Sequence, residues 1–198
     1  MKKTFLFLIF FFTALSLFAQ NALPQKFIDI LNRAHMEYTQ PDSFTSTPVI
    51  QNTKLFYDYA VKHVRKDVEI RYVVHPLDEQ LKTFHESEKN KMPGSVSINP
   101  NSSYIAYFYT ILFNISGGQP QRFNLIDGLH AQNTFNAGWA AYTFTKLNKE
   151  FAQDYKYCLI VAIHKNDFGD AYYVCLANEK ESLTYSAMHD LTTLKFKE

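Results

Sequence analysis

"YKYCLIVAIHKNDFGDAYYVCLAN", residues 155–178, decides the fold. Two apolar runs, near 156–164 and 171–177, flank Asp167-Phe168-Gly169-Asp170. Strand-length runs rich in β-branched and aromatic residues around a short Asp/Gly turn predict a β-hairpin. Both cysteines of the chain lie in it. If opposed residue numbers sum to 335, Cys158 opposes Ala177 and Cys175 opposes Ile160. The thiols are then diagonal on one face, beyond comfortable disulfide geometry. A sum of 333 would set them face to face as a Cys158–Cys175 disulfide, and a shift by one would put them on opposite faces. An oxidising compartment favours the bridge, the diagonal register favours two buried thiols filling a core. A catalytic thiol has no support, because both cysteines sit in apolar strand text.

Outward from the hairpin, the ends set the compartment. "MKKTFLFLIFFFTALSLFAQ" (1–20) places Lys2 and Lys3 before an apolar run from Phe5 to Leu15, with Ala19 offering a cleavage point. That order predicts a secretory signal peptide at 1–19, followed by one α+β domain over 20–198. The expected address is exported, periplasmic or secreted. The run is short for a membrane span, so no transmembrane segment is expected after cleavage. Removing 1–19 takes away two lysines and no acid, leaving 18 basic against 19 acidic groups, net −1. Such a balance argues against nucleic acid or an anionic membrane as partner. All 13 tyrosines fall after the leader, which suits half-buried sheet surface.

"LPQKFIDILNRAH" (23–35) has Pro24 before Phe27, Ile30, Leu31 and Ala34 at helical spacing. "KLFYDYAVKHV" (54–64) and "DVEIRYVVH" (67–75) alternate in polarity and predict two strands joined around "RKD", with one face solvated. "PLDEQLKTFHESEKNK" carries Leu77, Leu81 and Phe84 on an otherwise charged surface helix. "SSYIAYFYTILFNISGG" (102–118) predicts the main helix, a serine capping its start and Gly117-Gly118 ending it. Tyr104, Ile105, Phe108, Ile111, Leu112 and Ile115 form its apolar stripe. "QRFNLIDGLHAQN" (121–133) is ambiguous, "TFNAGWAAYTFTKL" (134–147) predicts a strand, and Leu183, Ala187, Leu191 and Leu194 predict a C-terminal helix.

The resulting order is an extended "MEYTQPDSF", two strands, a helical insertion, the strands "NAGWAAYTFT", "YCLIVAIHK" and "DAYYVCLAN", and a final helix. In outline it resembles the Mog1/PsbP-like α/β/α sandwich, a family that includes photosystem II extrinsic proteins, a nuclear Ran-binding protein and bacterial periplasmic DcrB-type proteins. The resemblance is one of topology over 36–196 and implies an antiparallel sheet of about five or six strands flanked by helices. It carries no shared catalytic residues. The competing architecture is a cystatin- or NTF2-like helix on a curved sheet.

Catalytic motifs are wanting. His85-Glu86 lacks the second histidine of a zinc protease, and there is no Gly-x-Ser-x-Gly elbow, phosphate-cradling glycine loop or Cys-x-x-Cys. No catalytic residue, metal or cofactor is therefore assigned. His75 and His164 fall on strand faces and read as hydrogen-bonded or surface residues. Asp167 and Asp170 lack the alternating ligands of a calcium loop and read as a hairpin turn. Asp127 and His130, near Asn133, Asn136 and Trp139, form the one cluster suited to a small polar ligand or acid–base work. Against it stands a plain loop whose Asp and Asn groups satisfy local backbone. Three functions follow: a non-enzymatic domain binding a protein partner or small ligand, an enzyme using Asp127 and His130, or an oligomeric envelope component. The enzyme needs an apolar-walled pocket holding both side chains. The oligomer needs an exposed apolar patch, sought in 104–109 and 155–173.

Overall fold

Pro24 precedes the first helix, α1 (Gln25–Arg33), where a missing N–H leaves no helical bond unmade, and α1 buries Phe27 and Leu31 on one side. Strands β1 (Met36–Tyr38), β2 (Phe44–Ser46), β3 (Tyr59–His63) and β4 (Val68–Pro76) follow. Helix α2 (Asp78–Lys89) leads through a 3₁₀ turn at Pro100–Ser102 into α3 (Tyr104–Ile115). Then come β5 (Asn124–Leu125), α4 (Gly128–Phe135), β6 (Trp139–Lys146), β7 (Tyr157–Lys165), β8 (Gly169–Ala177), α5 (Lys180–His189) and β9 (Leu194–Phe196). The computed structural model describes residues 22–198 apart from 93, 153, 190 and 191, without side chains over 185–189. The leader at 1–19, Leu191 and the side chain of Ala187 lie outside those described residues.

Among the described residues seven strands form one antiparallel sheet in the order β2-β3-β4-β8-β7-β6-β5, and β1 pairs with β9 separately. The sheet exceeds the expected five or six strands by its edges, β2 and β5, which have three and two residues. Runs that short carry no readable alternation. Helices lie on both faces, an α/β/α arrangement rather than a one-sided helix on a curved sheet. Ala171, Tyr173, Cys175 and Ala177 of β8 join a core with Phe27 and Leu31 of α1, Phe135 of α4, Leu183 of α5 and Met36 and Phe196 of the small sheet. Tyr172, Val174 and Leu176 point the other way, to Phe108, Leu112 and Ile115 of α3. The solvated face expected for β4 is covered, since even Glu69 and Arg71 are buried, whereas on β3 Lys62 stays exposed as expected.

The hairpin forms one residue out of the expected register. Cys158 opposes Leu176 and Leu159 opposes Cys175, so opposed numbers sum to 334. Its loop has three residues, Asn166 to Phe168, and Asp167 rather than a glycine takes the left-handed conformation, at φ 69°. Gly169 belongs to β8, between Lys165 on β7 and Pro76 on β4. A Cβ there would stand 2.7 Å from the His75 carbonyl oxygen, so the glycine serves close strand approach. The one-residue slip exchanges faces: Cys158 packs in the α3 core and Cys175 in the α1 core. Both the diagonal placement and the Cys158–Cys175 disulfide are thereby corrected, as the two residues stand as buried thiols on opposite sides of the sheet.

Other boundaries shift locally. Regular pairing in 54–64 starts only at Tyr59, and Thr134 and Phe135 belong to α4 instead of the following strand. Ser103 sits at the start of α3 without a capping side-chain bond, while Gly117 and Gly118 end the helix as expected, at φ 73° and 83°. The tail adds β9 after α5. Tyr173 fixes it to the sheet, its hydroxyl bonding the Leu194 carbonyl and accepting the Leu194 N–H at 3.0 Å.

Candidate functional site

Helix α4 is fixed at both ends by its own sequence. Asp127 precedes it, and Oδ1 accepts from the backbone N–H of Leu129 at 3.0 Å and of His130 at 3.3 Å. Asn136 follows it in the left-handed conformation, φ 50°, which asparagine tolerates at a helix end. Between these caps the helix buries Ala131 and Phe135 against the sheet. His130 and Thr134 then line a cleft of about 640 Å³ between α4 and strands β6 and β7. Its walls are Ile126, Phe135, Tyr142, Phe144, Leu159 and Val161, with Asp127, His130, Thr134 and Thr192 as the polar groups among the described residues.

The sequence cluster is only partly assembled. Asp127 and His130 meet at the cleft, both exposed at its rim, and among the described residues no hydrogen bond joins their side chains. Asn133 lines a neighbouring polar cleft of about 910 Å³ with Gln40, Asp42, Ser43, His63 and Lys195. The two clefts share Thr134 and Thr192, so an apolar trough opens beside a polar one. Asn136 leaves the site: its Nδ2 donates to the carbonyls of Phe196 (3.3 Å) and Lys197 (2.8 Å), fastening the tail. Trp139 is on the opposite face of the sheet, against Tyr104 (4.9 Å between centroids) and Phe108. A wider furrow beside α2 is rimmed by Met92, Val96 and Ile98, which are 74–88% exposed, and is open surface rather than a pocket.

The most densely bonded polar group is elsewhere. His75, Asp170 and His164 stand opposite one another across β4, β8 and β7. Asp170, 2% exposed, accepts from His164 Nδ1 at 2.7 Å through Oδ1 and from His75 Nδ1 at 3.2 Å through Oδ2. Gln80 Nε2 lies 2.8 Å from His75 Nε2, within hydrogen-bond reach. Asn166 Oδ1 lies 2.8 Å from His164 Nε2, within hydrogen-bond reach. Burial acts to raise the Asp170 carboxyl, but the two imidazole hydrogen bonds and charges outweigh it and hold it below the usual carboxylate range. Tyr104 stacks on His164 at 4.1 Å and Tyr107 meets His75 edge-on at 4.9 Å. Every ring nitrogen is engaged and α3 roofs the row, so it ties three strand ends to a helix rather than meeting a substrate.

A second buried group has the same character. On β4, Arg71 Nε donates to Glu69 Oε1 at 2.6 Å, the guanidinium lies between the rings of Tyr57 and Phe151, and Tyr155 donates to Glu69 Oε2 at 3.2 Å. Partners on all sides make this pair structural. Asp167 and Asp170 do not converge on a cation, since Asp167 Oδ1 accepts from Asn101 while Asp170 holds the imidazoles. The chain matches no model of a known protein family and no curated protein.

Proposed function

We propose that the protein is an exported, non-enzymatic domain that binds a small amphipathic molecule in the cell envelope, on a Mog1/PsbP-like frame. The observation that carries this reading is the apolar-walled cleft of about 640 Å³ continuing into a polar one across Thr134 and Thr192. Its volume suits a small ligand, whose apolar body would rest on Phe135, Tyr142, Leu159 and Val161. The polar end would then reach Asn133 and the His130 rim. Binding is favoured over catalysis because Asp127 Oδ1 is committed to capping α4 and forms no dyad with His130. The export part rests on the leader at 1–19, and the Mog1/PsbP-like part is supported by helices on both faces of an antiparallel sheet.

Titration with a fluorescent amphiphile, 1-anilinonaphthalene-8-sulfonate or a polyene fatty acid, tests the reading. Saturable one-to-one binding is expected, lost in Thr134→Trp, which fills the cleft, and kept in Thr134→Ser. Binding indifferent to Thr134→Trp, or none in the wild type, would remove the cleft from consideration.

A further inference from the structure

Residues 92–121 contain no Asp, Glu, Lys, Arg or His, although 20% of the chain is charged. Helix α3 occupies the middle of this stretch. Its inner stripe, Phe108, Leu112 and Ile115, is buried against the sheet. Its outer surface is nonetheless apolar: Ile105 is 38% exposed, Tyr107 41%, Tyr109 49% and Phe113 58%. Ile105, Tyr109 and Phe113 recur every fourth residue and so form one ridge along the helix. Beside it run the smaller, exposed Ala106 and Thr110, a groove along the same direction. At the C-terminal end of the ridge a hollow of about 390 Å³ opens between Tyr109, Phe113 and Pro120.

We infer that this face of α3 is a two-fold interface with a second copy of the chain. A surface that meets itself must carry knob and hole together, and net charge on it would repel its copy. Ridge, groove and hollow supply the knob and hole, and the charge-free stretch avoids the repulsion. Antiparallel packing about an axis at Tyr109 sets Ile105 of one copy beside Phe113 of the other, at the hollow. A lipid surface is the less suitable occupant, since membrane-lying helices carry several cations beside their apolar face and α3 itself carries none. The exposed patch, counted on both copies, reaches on the order of 1,000 Å², the low end for a specific interface, so micromolar association is expected.

Sedimentation equilibrium of the purified protein, from about 1 to 200 μM, spans that range. A monomer–dimer equilibrium is expected. Tyr109→Glu would place two carboxylates at the axis and raise the dissociation constant at least about 100-fold with an unchanged circular-dichroism melt. Leu129→Glu, at a more exposed apolar residue on α4 in the opposite layer, should leave the dimer intact. A wild type monomeric throughout overturns the inference, and if that monomer floats with anionic vesicles the face belongs to lipid instead. A dimer untouched by Tyr109→Glu overturns it as well, by locating the contact elsewhere.

Discussion

Asp170 illustrates how much a single register decides. Read with opposed numbers summing to 335, it faces Lys165 and stays a turn residue; at 334 it faces His164, and across β4 it faces His75. The misreading came from giving Gly169 the turn, the usual post for glycine, when close approach to the His75 carbonyl needs it in the strand. Because the folded carboxyl is held below its ordinary value, its stabilisation is complete above the unfolded value of 3.8 and is lost as pH falls through the folded one. Asp170→Asn should therefore lower stability by about 2–4 kcal/mol near neutrality, as expected when one member of a buried charged network is removed. It should also flatten the acid limb below about pH 4. Urea unfolding across pH reads both; an unchanged acid limb would show that another carboxylate governs it.

At the scale of elements, α4 was hidden by its own caps. Asp127 and Asn136 were candidate ligand groups in the sequence, whereas an Asp just before and an Asn just after an eight-residue segment are also start and stop signals for a helix. That signal was present and would have ended the helix at Asn136, apart from the strand that holds Trp139. The long helix 104–115 was legible because an amphipathic stripe and a double glycine agreed. The edge strands β2 and β5 were not, since pairing at a sheet margin is set by neighbours rather than by local pattern. Asp127→Ala should cost about 1 kcal/mol through loss of the cap. It should also weaken amphiphile binding, because α4 carries His130 and Thr134 to the cleft. Thermal melts and titration separate the two effects; a cap loss with full affinity would mean the helix keeps its place without Oδ1.

For the whole molecule, the central sheet divides two cores, and each holds one thiol. Cys158 and Cys175 are both 0% exposed, and burial pushes the Cys158 thiol well above its usual range. Alkylation under native conditions should accordingly track global unfolding, with both residues modified together once the chain is denatured. Intact mass after non-reducing denaturation checks this: two alkyl groups are expected, and a mass two hydrogens lower with none added would contradict the opposite-face register. The general α+β character and the central hairpin were readable from the sequence because apolar runs of strand length admit few other uses. The candidate cleft was not, as it is built from side chains of 126–161 together with Thr192 that only the folded sheet brings together.

The position of the hairpin also governs when the chain can become a protein. Strand β4 finds its inner neighbour in β8, about a hundred residues later, and β1 finds its partner only in β9, where Met36 meets Phe196. Closing such distant pairs comes late, after the local hairpin. A chain emerging from its N-terminus therefore has no completed sheet until its final residues are available. Fragments ending before residue 169 should stay open and protease-sensitive, and adding back 169–198 should restore protection. A fragment that resists digestion without β8 would break this expectation. Late closure of this sort would suit the export proposed above, since a chain kept open to its last strands can still be threaded.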